Sequence, residues 1–228
     1  MTMLRVLFLL FSLVTLTAHA VPDIGFARPG ELPESGILVL PTSGGKLLNS
    51  LDNQQLSGSI EQAVATAQFG ADADTTLSLY AMAPYDRVLL VETGEPGLDA
   101  RRLRSAAGAV AQALSSSTAG GGPVSVLLQN VQSTAEAPAA NFALGLALGG
   151  YRFDKYKTVE ESQEDAEAPA VTLYTDNPEQ GASQWSDDWR GVAEGVFFAR
   201  NLVSEPANVI YPESFVDRAR SAFRGVSR

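Results

Sequence analysis

Short aliphatic runs separated by helix-period stretches are the feature that most narrows what this chain can fold into. Ile37 to Leu40 is an apolar run closed by Pro41, and Leu77 to Met82, Arg87 to Glu92, Val124 to Leu128 and Ala170 to Tyr174 are further runs of strand length. Turn-forming or polar residues bound each of them, as they bound buried strands. Ala83-Pro84-Tyr85-Asp86 predicts a turn that makes a hairpin of the second and third runs. Between the runs lie helical patterns. Gly58 to Phe69 places Ile60, Val64 and Ala67 on one side, and Asp99 can cap a helix whose face carries Leu103, Ala107, Val110 and Leu114. Pro138 to Gly149 is small or apolar all round, the composition of a buried helix. This alternation predicts an α/β fold, a sheet layered with helices.

The flanks divide the chain further. Met1 to Ala20 has Arg5, an apolar run from Val6 to Leu16, and Ala18-His19-Ala20, the layout of a signal peptide cleaved after Ala20. Its apolar run is too short for a membrane span. Export to a periplasm or beyond is expected, with no membrane attachment after cleavage. Val21 to Ser35, with Pro22, Pro29 and Pro33, reads as an extended leader, and residues 36–183 as the α/β domain. Residues 184–228 read as a helical connector. Trp185, Trp189, Val192, Val196, Ala199 and Val203 are at helical spacing, and Pro206 ends that helix near Ser204 or Glu205. Pro212 then opens a second helix with Glu213 near its positive end and an apolar face of Phe215, Ala219, Ala222 and Phe223.

Composition excludes several functions. A formal net charge of −10 opposes binding to nucleic acid, which needs a basic face. Cysteine is absent and the one histidine, His19, lies in the segment expected to be removed. Thiol nucleophiles, Ser-His-Asp triads and histidine zinc sites are therefore out of reach.

The remaining motifs read as structure. Ser43-Gly44-Gly45-Lys46 suggests a phosphate loop, yet Leu40 and Leu47 stand where that pattern needs Gly and Ser or Thr, so a turn is expected. Gly120-Gly121-Gly122 is expected to link a helix to a strand. Trp185 and Trp189 are expected to pack rather than stack a ligand, and Asp187 and Asp188 to cap a helix. Glu160 to Glu167 reads as a solvated acidic loop rather than a metal site. No residue is assigned a catalytic, cofactor-binding or metal-binding role.

Two segments carry a resemblance. Ala199-Arg200-Asn201-Leu202-Val203-Ser204-Glu205-Pro206-Ala207-Asn208 resembles the A-R-D-L-V-N-E-P-A-N connector of the leucyl aminopeptidase family, peptidase family M17. Phe142 to Gly145 followed by Tyr151-Arg152-Phe153-Asp154-Lys155-Tyr156-Lys157 resembles its helix and Y-R-F-D-x-Y-K segment. The resemblance implies a macro-domain-like N-terminal α/β domain, joined by the connector to a catalytic domain that binds two divalent metals, zinc or manganese. Such enzymes remove N-terminal residues from peptides and form hexamers.

The metal motifs of that family, K-G-x-x-F-D-S-G-G and N-T-D-A-E-G-R, are not among these residues and would lie beyond Arg228. The expectation is a fragment or truncated product, the non-catalytic domain and connector, inactive alone and holding no cofactor. Its expected partner is a catalytic domain, within a homo-oligomer if the protein is full length. A free-standing macro-like module for a small ligand, and an adaptor inserting into full-length hexamers, are the alternatives. Asn201, Ser204 and Tyr211 depart from the family's usual Asp, Asn and Thr. Tyr211 is expected to weaken the N-cap of the second connector helix by about 1 kcal/mol.

Overall fold

The computed structural model describes residues 21–95, 97–116, 122–156 and 170–224. The expected signal peptide, Gly120 and Gly121, and the acidic run Glu160 to Glu167 lie outside the described residues. Among the described residues no helix is long and apolar enough to cross a membrane.

Alternating side-chain directions build the core. Strand β2 (Ile37–Ser43) lies at the centre of the sheet, parallel to β5 (Tyr85–Glu92) on one side and to β6 (Val124–Leu127) on the other. Ile37, Val39, Leu89, Val91, Val124 and Val126 point to one face, and Leu38, Leu40, Val88, Leu90 and Leu127 to the other. Both faces are buried, so these strands read as unbroken apolar runs rather than as half-polar alternations. Helices α2 (Ala100–Ser115) and α3 (Pro138–Gly149) cover the first face, and Leu56 and Ile60 of α1 (Gln54–Ala67) cover the second.

The full sheet order is β1-β7-β6-β2-β5-β4, with the short β3 (Lys46–Leu47) antiparallel to the end of β2. Strand β4 (Thr76–Met82) pairs antiparallel with β5, which is the expected hairpin. Strand β7 (Val171–Tyr174) is parallel to both β6 and β1 (Ile24–Ala27). The fold is thus a mixed sheet layered with helices, as the sequence predicts.

Two strand expectations are corrected. The sheet begins at Ile24, inside the segment read as an extended leader, because β1 adds to β7 as an edge strand and buries Ile24. Pro22 and Pro29 bracket this strand but lie outside it, so neither removes a ladder hydrogen bond. Strand β2 also runs through Pro41 to Ser43 instead of ending at Pro41. The Pro41 carbonyl accepts from Leu48, so the residue faces the side where pairing with β6 has already stopped, at Val39 opposite Val126. The missing N–H therefore removes no ladder bond.

The helices start and stop for local reasons. Asp99 Oδ1 accepts the Arg102 N–H at 2.8 Å and Asn53 Oδ1 accepts that of Leu56 at 3.0 Å, so α1 begins ahead of the expected Gly58. Helix α3 coincides with the expected range and is buried along most of its length. It crosses α2 so closely that a Cβ added to Gly145 would lie 2.3 Å from the Arg104 carbonyl oxygen. Buried Arg87 on β5 gives one N–H each to the Ala113 carbonyl in the last turn of α2 and to Ser78 Oγ. A guanidinium there meets the negative end of the helix.

Residues 178–189, where the expected domain passes into the expected connector, are helical. They form α4 (Pro178–Gln184) and a π turn, Trp185–Trp189, that continues directly into α5 (Arg190–Ser204). A π turn holds one more residue than an α turn and advances every later residue around the axis. The expected face of Val192, Val196, Ala199 and Val203 is therefore displaced by about one position. Ala193 and Phe197 are buried instead and Val192 is exposed; further along, Leu202 is buried while Ala199 and Val203 are exposed.

Helix α6 (Pro212–Ala222) follows after a turn and ends beside α5, where Phe223 meets Phe198 edge to face. Its expected apolar face is not buried. Phe215 and Phe223 are 48% and 64% exposed.

Candidate functional site

Two buried carboxylates organise the polar interior. The first is Glu92, at the C-terminal end of β5 and 1% exposed. Its Oε1 accepts the N–H groups of Gly44 at 2.8 Å and Gly94 at 3.0 Å, and its Oε2 accepts Gly45 N–H at 3.0 Å and Thr42 Oγ1–H at 2.9 Å. Gly44 and Gly45 both have positive φ, 56° and 75°, the requirement of a tight two-residue hairpin turn between β2 and β3. Ser43-Gly44-Gly45-Lys46 is thus the expected turn. Its backbone N–H groups form a nest suited to an anion, and the anion is the chain's own side chain.

That arrangement bears on ligand binding. In open parallel sheets the usual ligand crevice lies beyond the strand C-termini where the chain winds to opposite sides, here at the end of β2. There Glu92 takes the N–H groups of the glycine turn. Buried Asn49 gives its amide N–H to the Leu127 carbonyl at 2.8 Å. The turn's N–H groups are thus spent on the chain's own carboxylate rather than left for a phosphate.

The second carboxylate is Glu205, at the end of α5, with its side chain 3% exposed. Lys155 Nζ and Tyr156 OH both donate to it, and Arg218 Nη1 of α6 donates to its Oε1 at 2.9 Å. Burial pushes its carboxyl pKa up, but these three donors outweigh burial and hold it down at about 2. The hydrogen bond to Glu205 raises the Tyr156 hydroxyl in turn. One carboxylate therefore joins the segment after α3, the end of α5 and the face of α6.

Neighbouring contacts complete the clamp. Tyr151 OH donates to Asn201 Oδ1 at 2.7 Å, and its ring meets Phe197 edge to face at 5.1 Å. Arg200 Nη1 donates to the Leu148 carbonyl at 2.9 Å. Asn201, a departure from the family's Asp, still supplies the acceptor that Tyr151 needs. Tyr211 likewise lacks a capping side chain, but Ser214 Oγ accepts the Tyr211 N–H at 2.9 Å, which restores half of a capping box.

Trp185 is buried in the core and Trp189 packs against it, as expected. Asp187 does not cap a helix. It accepts hydroxyls from Ser183 and Ser186 at 3.0 Å each inside the π turn. Among the described residues no three His, Cys, Asp or Glu side chains gather as a metal would require. Glu92 and Glu205 both escaped sequence reasoning. The available signal was an acidic residue closing an apolar strand in one case, and one lodged between two proline-bounded helices in the other.

The two segments that carried the family resemblance are therefore the two halves of one clamp, which fastens helices α5 and α6 to the segment after α3. The model of the cytosol aminopeptidase family N-terminal domain matches residues 39–160, more than half of the chain, and the chain belongs to that family. A probable cytosol aminopeptidase of Allorhizobium ampelinum is 35% identical over 208 residues, covering 87% of this chain and 40% of the relative. One of Caulobacter vibrioides is 32% identical over 171 residues, covering 74% of this chain and 33% of its own length. The chain thus spans 40% or less of these two curated relatives.

Among solved structures, a tomato leucine aminopeptidase mutant superposes with a TM-score of 0.66 at 19% identity, over 90% of this chain and 42% of that one. The bottromycin maturation enzyme BotP in complex with Mn gives 0.57 at 22% identity, over 82% of this chain and 36% of that one. At these identities the likeness concerns the fold.

Proposed function

We propose that this chain acts as the non-catalytic N-terminal domain and connector of an exported aminopeptidase-like protein. The observation that carries the reading is the connector itself. The Glu205 clamp fixes α6 through Arg218, and on either side of that residue Phe215, Val216 and Phe223 are 48%, 41% and 64% exposed. An apolar helix face held in a defined direction suits a second domain packed against it.

In a protein carrying that domain, the two-metal hydrolysis of N-terminal peptide bonds belongs to it. Zinc or manganese would supply the activated water there. The domain described here would support assembly, into hexamers in the family pattern, and shape access to the active site. The relatives named as cytosol aminopeptidases support the activity class, and the layout of Met1 to Ala20 supports export. A free-standing small-ligand module is disfavoured because Glu92 fills the glycine turn.

The direct test is incubation of the chain with an aminoacyl p-nitroanilide and added zinc or manganese. No metal-dependent turnover is expected, and robust turnover would overturn the non-catalytic role. Co-expression with the C-terminal part of the Allorhizobium ampelinum relative tests the docking face. Co-purification that is lost in the double variant Phe215→Ser, Phe223→Ser is expected. Fractionation of cells making the tagged chain tests export.

A further inference from the structure

A groove of about 580 Å3 runs across the α2–α3 crossing, a volume that suits a small organic ligand. Its floor is formed at Gly108, Gly145 and Gly149, where the helices leave no room for a side chain on Gly145 or Gly149, with Leu148 beside them. Arg104, Arg200, Tyr151 and Asp74 also line it.

The two arginines are held ready but are not neutralised. Arg104 lies over the Trp189 ring, 5.9 Å from its centroid, and gives one N–H to Asn141 Oδ1 at 2.7 Å. Arg200 lies over the Tyr151 ring at 5.2 Å and gives one N–H to the Leu148 carbonyl. Each guanidinium has five N–H donors, so stacking and a single anchor orient the fork and leave most donors available. Among the described residues neither arginine forms an ion pair. That is unexpected in a chain with 26 acidic and 16 basic side chains, where carboxylate partners are in excess. Asp74 adds one carboxylate, which accepts Ser105 Oγ–H at 2.6 Å and meets no cation among the described residues.

We propose that this groove binds a short peptide with free termini, its C-terminal carboxylate held by Arg104 and Arg200 and its ammonium by Asp74. A purely anionic ligand would be opposed by Asp74 and a cationic one by the arginines. A zwitterion satisfies both signs. The apolar floor accepts side chains, and the volume exceeds what one amino acid would fill. The site lies in a domain to which no chemical step is assigned, and so gives that domain a means of sensing peptides.

Calorimetric titration of the full chain with the tripeptide leucyl-glycyl-leucine tests this. Saturable binding of one peptide per chain is expected, weakened about tenfold or more in its C-terminal amide and in Arg104→Gln or Arg200→Gln, the usual scale for losing a charge-assisted hydrogen bond. The N-acetylated peptide should bind more weakly than the free one and be insensitive to Asp74→Asn. A Cβ at Gly108 meets nothing nearer than the Gly145 carbonyl oxygen at 3.9 Å. Gly108→Leu should therefore block the groove while leaving the thermal midpoint in place. No saturable heat at millimolar peptide, equal binding of the amide, binding that survives Gly108→Leu, or binding of inorganic phosphate alone would each overturn the proposal. The readout is binding rather than turnover, so failure here leaves the non-catalytic role of the domain standing.

Discussion

Glu92 and Glu205 are both withdrawn from water, and they differ in what answers each carboxylate. Glu92 is met by three backbone N–H groups and one hydroxyl. In Glu92→Gln the amide nitrogen faces donors, leaving buried N–H groups unpaired, and a loss of about 2–4 kcal/mol in urea unfolding is expected. A loss below about 0.5 kcal/mol, the level of an ordinary surface change, would show that the turn holds its shape unaided. Glu205 is met by charged and phenolic side chains instead, so its contribution depends on pH. Its folded pKa is depressed from 4.5 to about 2. The stabilisation is therefore complete above about pH 4.5 and is lost as pH falls toward 2. The stability difference between the wild type and Glu205→Gln should be constant above that window and shrink through it. A difference that stays flat down to pH 2 would remove Glu205 from its anchoring role.

Among the elements, the α2–α3 crossing tolerates the least change. Ala is the better helix former by about 1 kcal/mol, yet a Cβ at Gly145 would sit 2.3 Å from a backbone carbonyl oxygen. Forcing such a contact costs about 1–3 kcal/mol, so Gly145→Ala is expected to lower the thermal midpoint. An unchanged or raised midpoint would mean that the helices separate freely. The range of α3 was legible because its residues are apolar on every side, and that of α2 because Asp99 and its period agree. Strand β1 was not, because so short an edge strand among prolines has no periodicity to read. Helix α5 was legible in extent but not in rotation, because nothing in Trp185 to Trp189 announces a π turn.

For the molecule as a whole, the sheet and its covering helices form the stable body, and α6 depends on one clamp. Hydrogen exchange should show α6 amides exchanging far faster than those of β2 and β5, by local opening rather than global unfolding. Equal protection would place α6 inside the cooperative body. The clamp itself was illegible in the sequence because its halves, Lys155 and Glu205, lie 50 residues apart and meet only after α3 and α5 have packed. Their motifs were readable, but their contact was not. The π turn carries a different kind of information from any of these side chains. One residue on a helix corresponds to about 100° of rotation. Regular α turns through Trp185 to Trp189, with no residue lost, would therefore turn Val192 inward and Phe197 outward. The helix would present a different face while every amino acid stayed the same.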